Sequence, residues 1–199
     1  MAGESPPADL TRERDGSTWQ IGTAAEVDWI ARGATGGLAI TSAIPPVFPA
    51  YATVVVPEPD RPDEQRARDG ALVDVLARHS TQHEWWLGYL ETGNSDVVFA
   101  DAPRVKLYSS DWRYVLVSAG AGQATRWREA DPWKGCLPDV MFPLDRSWLV
   151  STLWDDDWTC VGGSEQLIAD LLSDPDLRGH ARRVATVDED ATPPGHVAI

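Results

Sequence analysis

Between residues 84 and 161 the chain carries a succession of short β-rich runs, and amphipathic helix patterns stand on either side of them. That grouping constrains the fold more than any other feature. The runs are Glu84–Leu90, Asp96–Phe99, Val105–Tyr108 and Trp112–Val117, separated by Gly, Asn, Asp and Pro turn signals. Ser147–Leu153 and Trp158–Val161 then read as a hairpin around Asp155, Asp156 and Asp157. Upstream, Tyr51–Val56 is a strand rich in β-branched residues and closed by Pro57 and Pro59. Clustered strands with helices outside them predict an α+β fold. The expected architecture is a mainly antiparallel sheet flanked by three helices, in a single domain.

The three helices have distinct signals. Thr23-Ala-Ala-Glu26 is a capping-box pattern, followed by a stripe of Val27, Ile30 and Ala31 that ends at Gly33 and Gly36-Gly37. Asp60 is the expected cap of the second helix, with Pro62 in its first turn and Ala67, Ala71, Leu72, Val75 and Leu76 on one face. It ends near His79. Gly162-Gly163-Ser164 leads into the third, whose stripe is Leu167, Ile168, Leu171 and Leu172, stopped by Asp174-Pro175. Ala181–Val187 reads as a last short strand. Residues 1–16 are polar and read as a loose tail, residues 17–187 as one α+β domain, and residues 188–199 as an irregular C-terminal tail.

A chain of 199 residues buries roughly 70% of its unfolded surface and needs no staple to fold. Cys136 and Cys160 are therefore expected to be reduced, in a cytoplasmic protein. No run of apolar residues is long enough for a membrane span, and no signal-peptide pattern opens the chain. The net charge is −14, from 31 acidic against 17 basic residues. Nucleic-acid binding needs the opposite sign over the phosphates, so neither nucleic acid nor an anionic membrane is an expected partner. Solubility accounts for such a charge, and a basic protein partner is the sharper alternative.

Motifs with fixed chemistry are missing from the sequence. It has no Gly-x-Ser-x-Gly elbow, Walker loop or dinucleotide fingerprint. Arg32-Gly-Ala-Thr-Gly-Gly37 is glycine-rich but follows no strand. Gly162-Gly163-Ser164 has the composition of an anion-binding turn, and a tight turn into the third helix explains the same residues. His79 and His83 have the spacing of a helical zinc pair, yet Ser80 stands where a zincin needs glutamate, so surface or capping roles fit better. Asp155, Asp156 and Asp157 carry enough oxygen for Mg²⁺ or Ca²⁺, but adjacent strand residues point to opposite faces. No metal or other cofactor is expected.

Ten tryptophans remain to be placed. Trp29 and Trp148 follow apolar patterns and read as core. Trp85 and Trp86 are adjacent, so on a strand they face opposite ways, one of them outward or under a helix. Trp154 and Trp158 flank the acidic tip, where a core role is least forced. Carboxylates rimmed by aromatic rings suit a cationic ligand or an Arg/Lys-rich protein surface, whereas a cross-strand aromatic pair would only stabilise the hairpin. Trp154, Asp155, Asp156, Asp157 and Trp158 are thus the candidate binding residues, with no catalytic set.

The stretch from Leu144 to Ile168 is acidic-Arg-x-Trp, strand, acidic turn, strand, Val-Gly-Gly-Ser and helix. In this order it resembles the C-terminal part of an uncharacterised actinobacterial family. The order of helix, strands and helix, with an N-terminal tryptophan such as Trp19 or Trp29, also resembles the SUKH-type immunity superfamily. That resemblance implies an interaction protein and assigns no binding residue. The expectation is a cytoplasmic, non-enzymatic protein-binding domain, immunity- or antitoxin-like, that takes a basic partner on its acidic aromatic surface. The alternative is a small hydrolase or metal-dependent enzyme using the Asp155–Asp157 carboxylates. Oligomeric state stays open.

Overall fold

The computed structural model describes residues 10–14, 16–35, 39–55, 61–91, 99, 101–108, 112–126, 137–152, 158–188 and 190–196. Nine strands form one sheet: β1 Thr11–Arg14, β2 Ser17–Ile21, β3 Ala50–Val55, β4 Glu84–Leu90, β5 Tyr114–Gly120, β6 Val140–Pro143, β7 Leu149–Ser151, β8 Trp158–Gly163 and β9 Ala181–Val184. Their order is β1-β2-β5-β4-β6-β7-β8-β3-β9, and every pairing between these strands is antiparallel. The helices are α1 Ala24–Gly33, α2 Pro62–Arg78, the one-turn α3 Ala121–Ala124 and α4 Glu165–Ser173, with a 3-10 turn at Ile40–Ser42. The fold is α+β, as the sequence predicts, with α3 as a fourth helix.

Both faces of the sheet are covered, and the period-2 rule sorts its residues between them. Trp85, Leu87, Tyr89, Val115, Val117, Met141, Val150 and Val161 face α2, α3 and α4. Trp86, Leu90, Tyr114, Leu116, Val140, Phe142, Leu149 and Cys160 face α1, the 3-10 turn and non-helical chain at 105–108 and 191. Adjacent Trp85 and Trp86 therefore both lie in cores. A sheet covered on both sides gives strands that are apolar throughout, which is why β3 and β4 read as near-continuous hydrophobic runs.

The helix starts follow their local chemistry. Thr23 and Glu26 form the reciprocal capping box, with Thr23 N–H donating to Glu26 Oε2 at 2.7 Å. α2 opens on Pro62, and its expected cap Asp60 lies outside the described residues; Arg61 stands before the helix without a side-chain cap. Leu72, Val75 and Leu76 seat the helix on the sheet. Ser164 caps α4 by accepting from Leu167 N–H at 3.1 Å.

Several expectations need correction. Thr11–Arg14, read as part of a loose tail over residues 1–16, is the edge strand β1, held to β2 by backbone pairing. Its Thr-Arg-Glu-Arg sequence is exposed or half-buried along its length, so it offers no apolar pattern. β2 and β6 carried no assignment. In the stretch read as two strands, Asp96–Val98 lies outside the described residues, and Phe99 has φ 59° and sits edge-on to Trp19. Of Val105–Tyr108, Val105 alone bridges to the sheet, opposite Tyr114, and the chain then crosses the sheet's face. Gly162 and Gly163 are strand residues of β8, not a turn. A Cβ on Gly162 would stand 2.5 Å from Phe48 Cδ2 and 2.8 Å from Ile44 Cδ1, so close packing explains that glycine. Described residues 190–196 hold no helix or strand, and Ala191 among them is buried.

Candidate functional site

The expected hairpin is present in its strands. β7 and β8 pair with Leu149 opposite Gly162, Val150 opposite Val161 and Ser151 opposite Cys160. Just beyond this ladder, the Thr152 and Thr159 hydroxyls hydrogen-bond at 2.7 Å. Trp158 opens β8, opposite Val55, and is half-buried against the core shared with Tyr51 and Cys160. Trp154, Asp155, Asp156 and Asp157 lie outside the described residues.

The sheet register locates the hairpin's open end. Gly88, Val140, Ser151, Cys160 and Thr53 form one continuous row across five strands. Two residues further along, Leu90 pairs with Tyr114, and Val55 with Trp158. These four residues therefore end or begin their strands at the same end of the sheet. Trp112, two residues before Tyr114, is half-buried on the same core as Trp158.

Beneath this end lies a buried polar group that the sequence did not reveal. The Tyr108 hydroxyl hydrogen-bonds the Ser151 hydroxyl, and the Tyr108 and Tyr114 rings meet edge to face at 6.2 Å. The Tyr114 hydroxyl is buried and has no hydrogen-bond partner among the described residues. Asp139 is buried too. Its Oδ2 accepts from Leu90 N–H at 2.7 Å and its carbonyl from Thr152 N–H at 2.7 Å, tying β4 to the end of β7. Burial pushes both tyrosine hydroxyls well above their ordinary range. At Tyr108 it outweighs the opposing Ser151 hydrogen bond; at Tyr114 the neighbouring Tyr108 and Asp139 add to it electrostatically. Both phenols stay protonated at neutral pH, so neither serves as a base.

The histidine pair separates. His79 follows the last residue of α2, and its Nε2 lies 2.8 Å from Asp170 Oδ2 on α4. His83 is exposed, one residue before β4. The hydrogen bonds of Asp170, first to His79 and then to Gln166, hold its carboxyl below the usual range. This His–Asp pair has no nucleophile beside it in Ser80. That hydroxyl donates to Leu76 O at 2.8 Å and accepts from Trp148 Nε1 at 3.0 Å. The group joins the end of α2 to α4 and to the buried Trp148.

Among the described residues no three His, Cys, Asp or Glu side chains gather as metal ligands, and no helix is long and apolar enough to cross a membrane. No protein-family model, curated protein or solved structure matches this chain.

Proposed function

We propose that the chain is a non-enzymatic protein-binding domain, of the immunity or antitoxin kind, that takes a basic partner on Trp154, Asp155, Asp156, Asp157 and Trp158. The observation that carries this reading is the position of Trp158. It is half-buried at the mouth of a hairpin whose strands are well inside the sheet, rather than sunk into a core as Trp85 and Trp148 are. A ring in that position has apolar area left for a partner. Three consecutive carboxylates immediately precede it, and the whole chain carries −14. Aromatic anchors supply most interface energy, while surrounding charge sets encounter rate and partner choice.

The test is a pull-down from lysate of the source cell, followed by kinetics on the recovered partner. Replacing Asp155 and Asp156 by Asn should slow association and flatten its salt dependence. Trp154→Ala should speed dissociation, with a cost of about 2 kcal/mol or more if the ring is a hot spot. Circular dichroism of each variant checks that the domain still folds. Equal recovery of the same proteins by wild type and variants, or unfolding of Trp154→Ala, makes the hairpin tip structural.

A further inference from the structure

Leu144–Ser147 is the exposed turn between β6 and β7, at the end of β7 remote from Trp158. Its geometry is fixed by hydrogen bonds. Arg146 N–H donates to Pro143 O at 2.9 Å, and the Asp145 carboxylate accepts from Thr81 Oγ1 at 2.6 Å and from Ser147 N–H at 3.0 Å. Arg146 takes a left-handed φ of 56°, and its guanidinium stands over the Trp29 ring, 5.6 Å from the ring centre. It makes no ion pair among the described residues. Trp29 in turn meets Phe142 and Phe48 edge to face, with ring centres 5.5 and 6.2 Å away.

Phe48 brings the loop before β3 to the same place. That loop is held as firmly as the turn. Val47 N–H donates to Pro45 O at 2.8 Å, Phe48 N–H donates to the Tyr51 hydroxyl at 2.7 Å, and that hydroxyl donates to Pro45 O at 3.1 Å. Val47 is thereby kept in solvent at 60% exposure, and Leu144 of the turn stands at 41%. Val187 is the third exposed large apolar residue among the described ones. Two of these three thus border a single aromatic cluster, whose Trp29 and Phe48 rings are themselves half-buried. Exposed apolar area grouped in this way marks a contact surface.

We propose that this surface binds a second copy of the chain across a two-fold axis at the β6–β7 turn. The charges of the turn select that occupant. Asp145 and Arg146 are adjacent, exposed and opposite in sign. An acidic partner would match Arg146 but meet Asp145, in a chain that already carries −14, and a basic partner would match Asp145 but meet Arg146. A second copy of the same turn, running antiparallel, sets Asp145 of each copy against Arg146 of the other, so both charges are matched at once. Such a self-complementary patch is what a closed two-fold contact requires. Leu144 and Val47 supply its apolar rim, and the fixed turn and loop have little freedom left to lose on association. One turn and one loop from each copy make a small interface, so the dimer is weak. It leaves the Trp158 end of β7 uncovered and does not depend on the protein-binding reading.

The experiment is analytical ultracentrifugation of the full chain at concentrations up to about 1 mM. Wild type should show a monomer–dimer equilibrium that stops at the dimer. Arg146→Asp and Asp145→Arg should each weaken it about tenfold or more, because each sets like charges against one another across the axis. An equimolar mixture of the two variants should dimerise again, since one then carries two carboxylates and the other two cations. Arg146→Asp also suits the backbone, as Asp adopts positive φ more readily than Arg. Val47→Ser, at an exposed side chain, should weaken the dimer through the apolar rim and gives a reading independent of whether Asp145→Arg folds; circular dichroism and Tm check each variant. A chain that stays monomeric to about 1 mM overturns the proposal and leaves this face to a different protein. Assembly that continues past the dimer, an equilibrium unmoved by Arg146→Asp and Val47→Ser, or a mixture of folded variants that stays monomeric overturns it as well.

Discussion

Tyr108 and Ser151 are 43 positions apart in the chain, and their hydroxyls meet in a hydrogen bond on one buried face of the sheet. Tyr108 belongs to a non-helical segment, and Ser151 to β7. The bond pins that segment over the strands. On the same face, Thr53 Oγ1 donates to Ala191 O at 2.6 Å and pins the C-terminal segment in the same way. Thr53, Cys160 and Ser151 are cross-strand neighbours in one row. Small polar side chains thus do on this part of the face what apolar helix stripes do on the other.

Removing one hydroxyl of the Tyr108–Ser151 pair leaves the other buried without a partner. Ser151→Ala and Tyr108→Phe should each cost about 1–3 kcal/mol. The double variant should cost less than the sum of the two, since no orphan remains. Urea unfolding of all four proteins is the check. Strict additivity would show that the bond contributes nothing.

Leu76 is fully buried between α2 and the sheet. Leu76→Ala should destabilise the fold by about 2–5 kcal/mol through lost burial and a residual cavity. A loss below about 1 kcal/mol in chemical denaturation would contradict the packing of α2 on the sheet.

Gly162 faces Phe48, Ile44 and Tyr51 with no room for a methyl group. Gly162→Ala should cost about 1–3 kcal/mol by overpacking. Gly70, with open space around the position of its Cβ, is the matched control. Gly70→Ala lies inside α2 and should stabilise by up to about 1 kcal/mol. Opposite signs of the two changes in Tm are the expected result.

Asp190 accepts hydrogen bonds from Thr192, and its partner Arg182 is 3.2 Å away, so its carboxyl is held at about 2. A carboxylate with a depressed native pKa contributes stability that is complete above its unfolded value near 3.8 and is lost as pH falls toward 2. Asp190→Asn should therefore flatten the acid limb of a stability–pH profile between about pH 4 and 2 and leave the limb above pH 5 unchanged. His180 acts at a different pH. Its native pKa is lowered, so the folded state resists protonation and stability falls as pH drops through and below 6.5. Thermal melts across the range, repeated with His180→Gln, separate the two groups.

Local physics was legible in the sequence wherever a residue's role depends on its chain neighbours. The Thr23–Glu26 capping box, the Pro62 start of α2, the apolar stripe of α4 and the β7–β8 pairing follow from short-range hydrogen bonding and periodicity, and the α+β class follows from their grouping. Tertiary structure alone decided the rest. β1 has no apolar signal because an edge strand is held by backbone pairing, which any side chain permits. The opposite placement of Trp85 and Trp86 needed only the strand period, but burial of both required α2, α3 and α4 on one face and α1 with crossing chain on the other. The partners Tyr108 and Ser151, or His79 and Asp170, come together across long separations in the chain. No local pattern encodes such meetings, because a side chain's partner is set by which strands and helices pack against it.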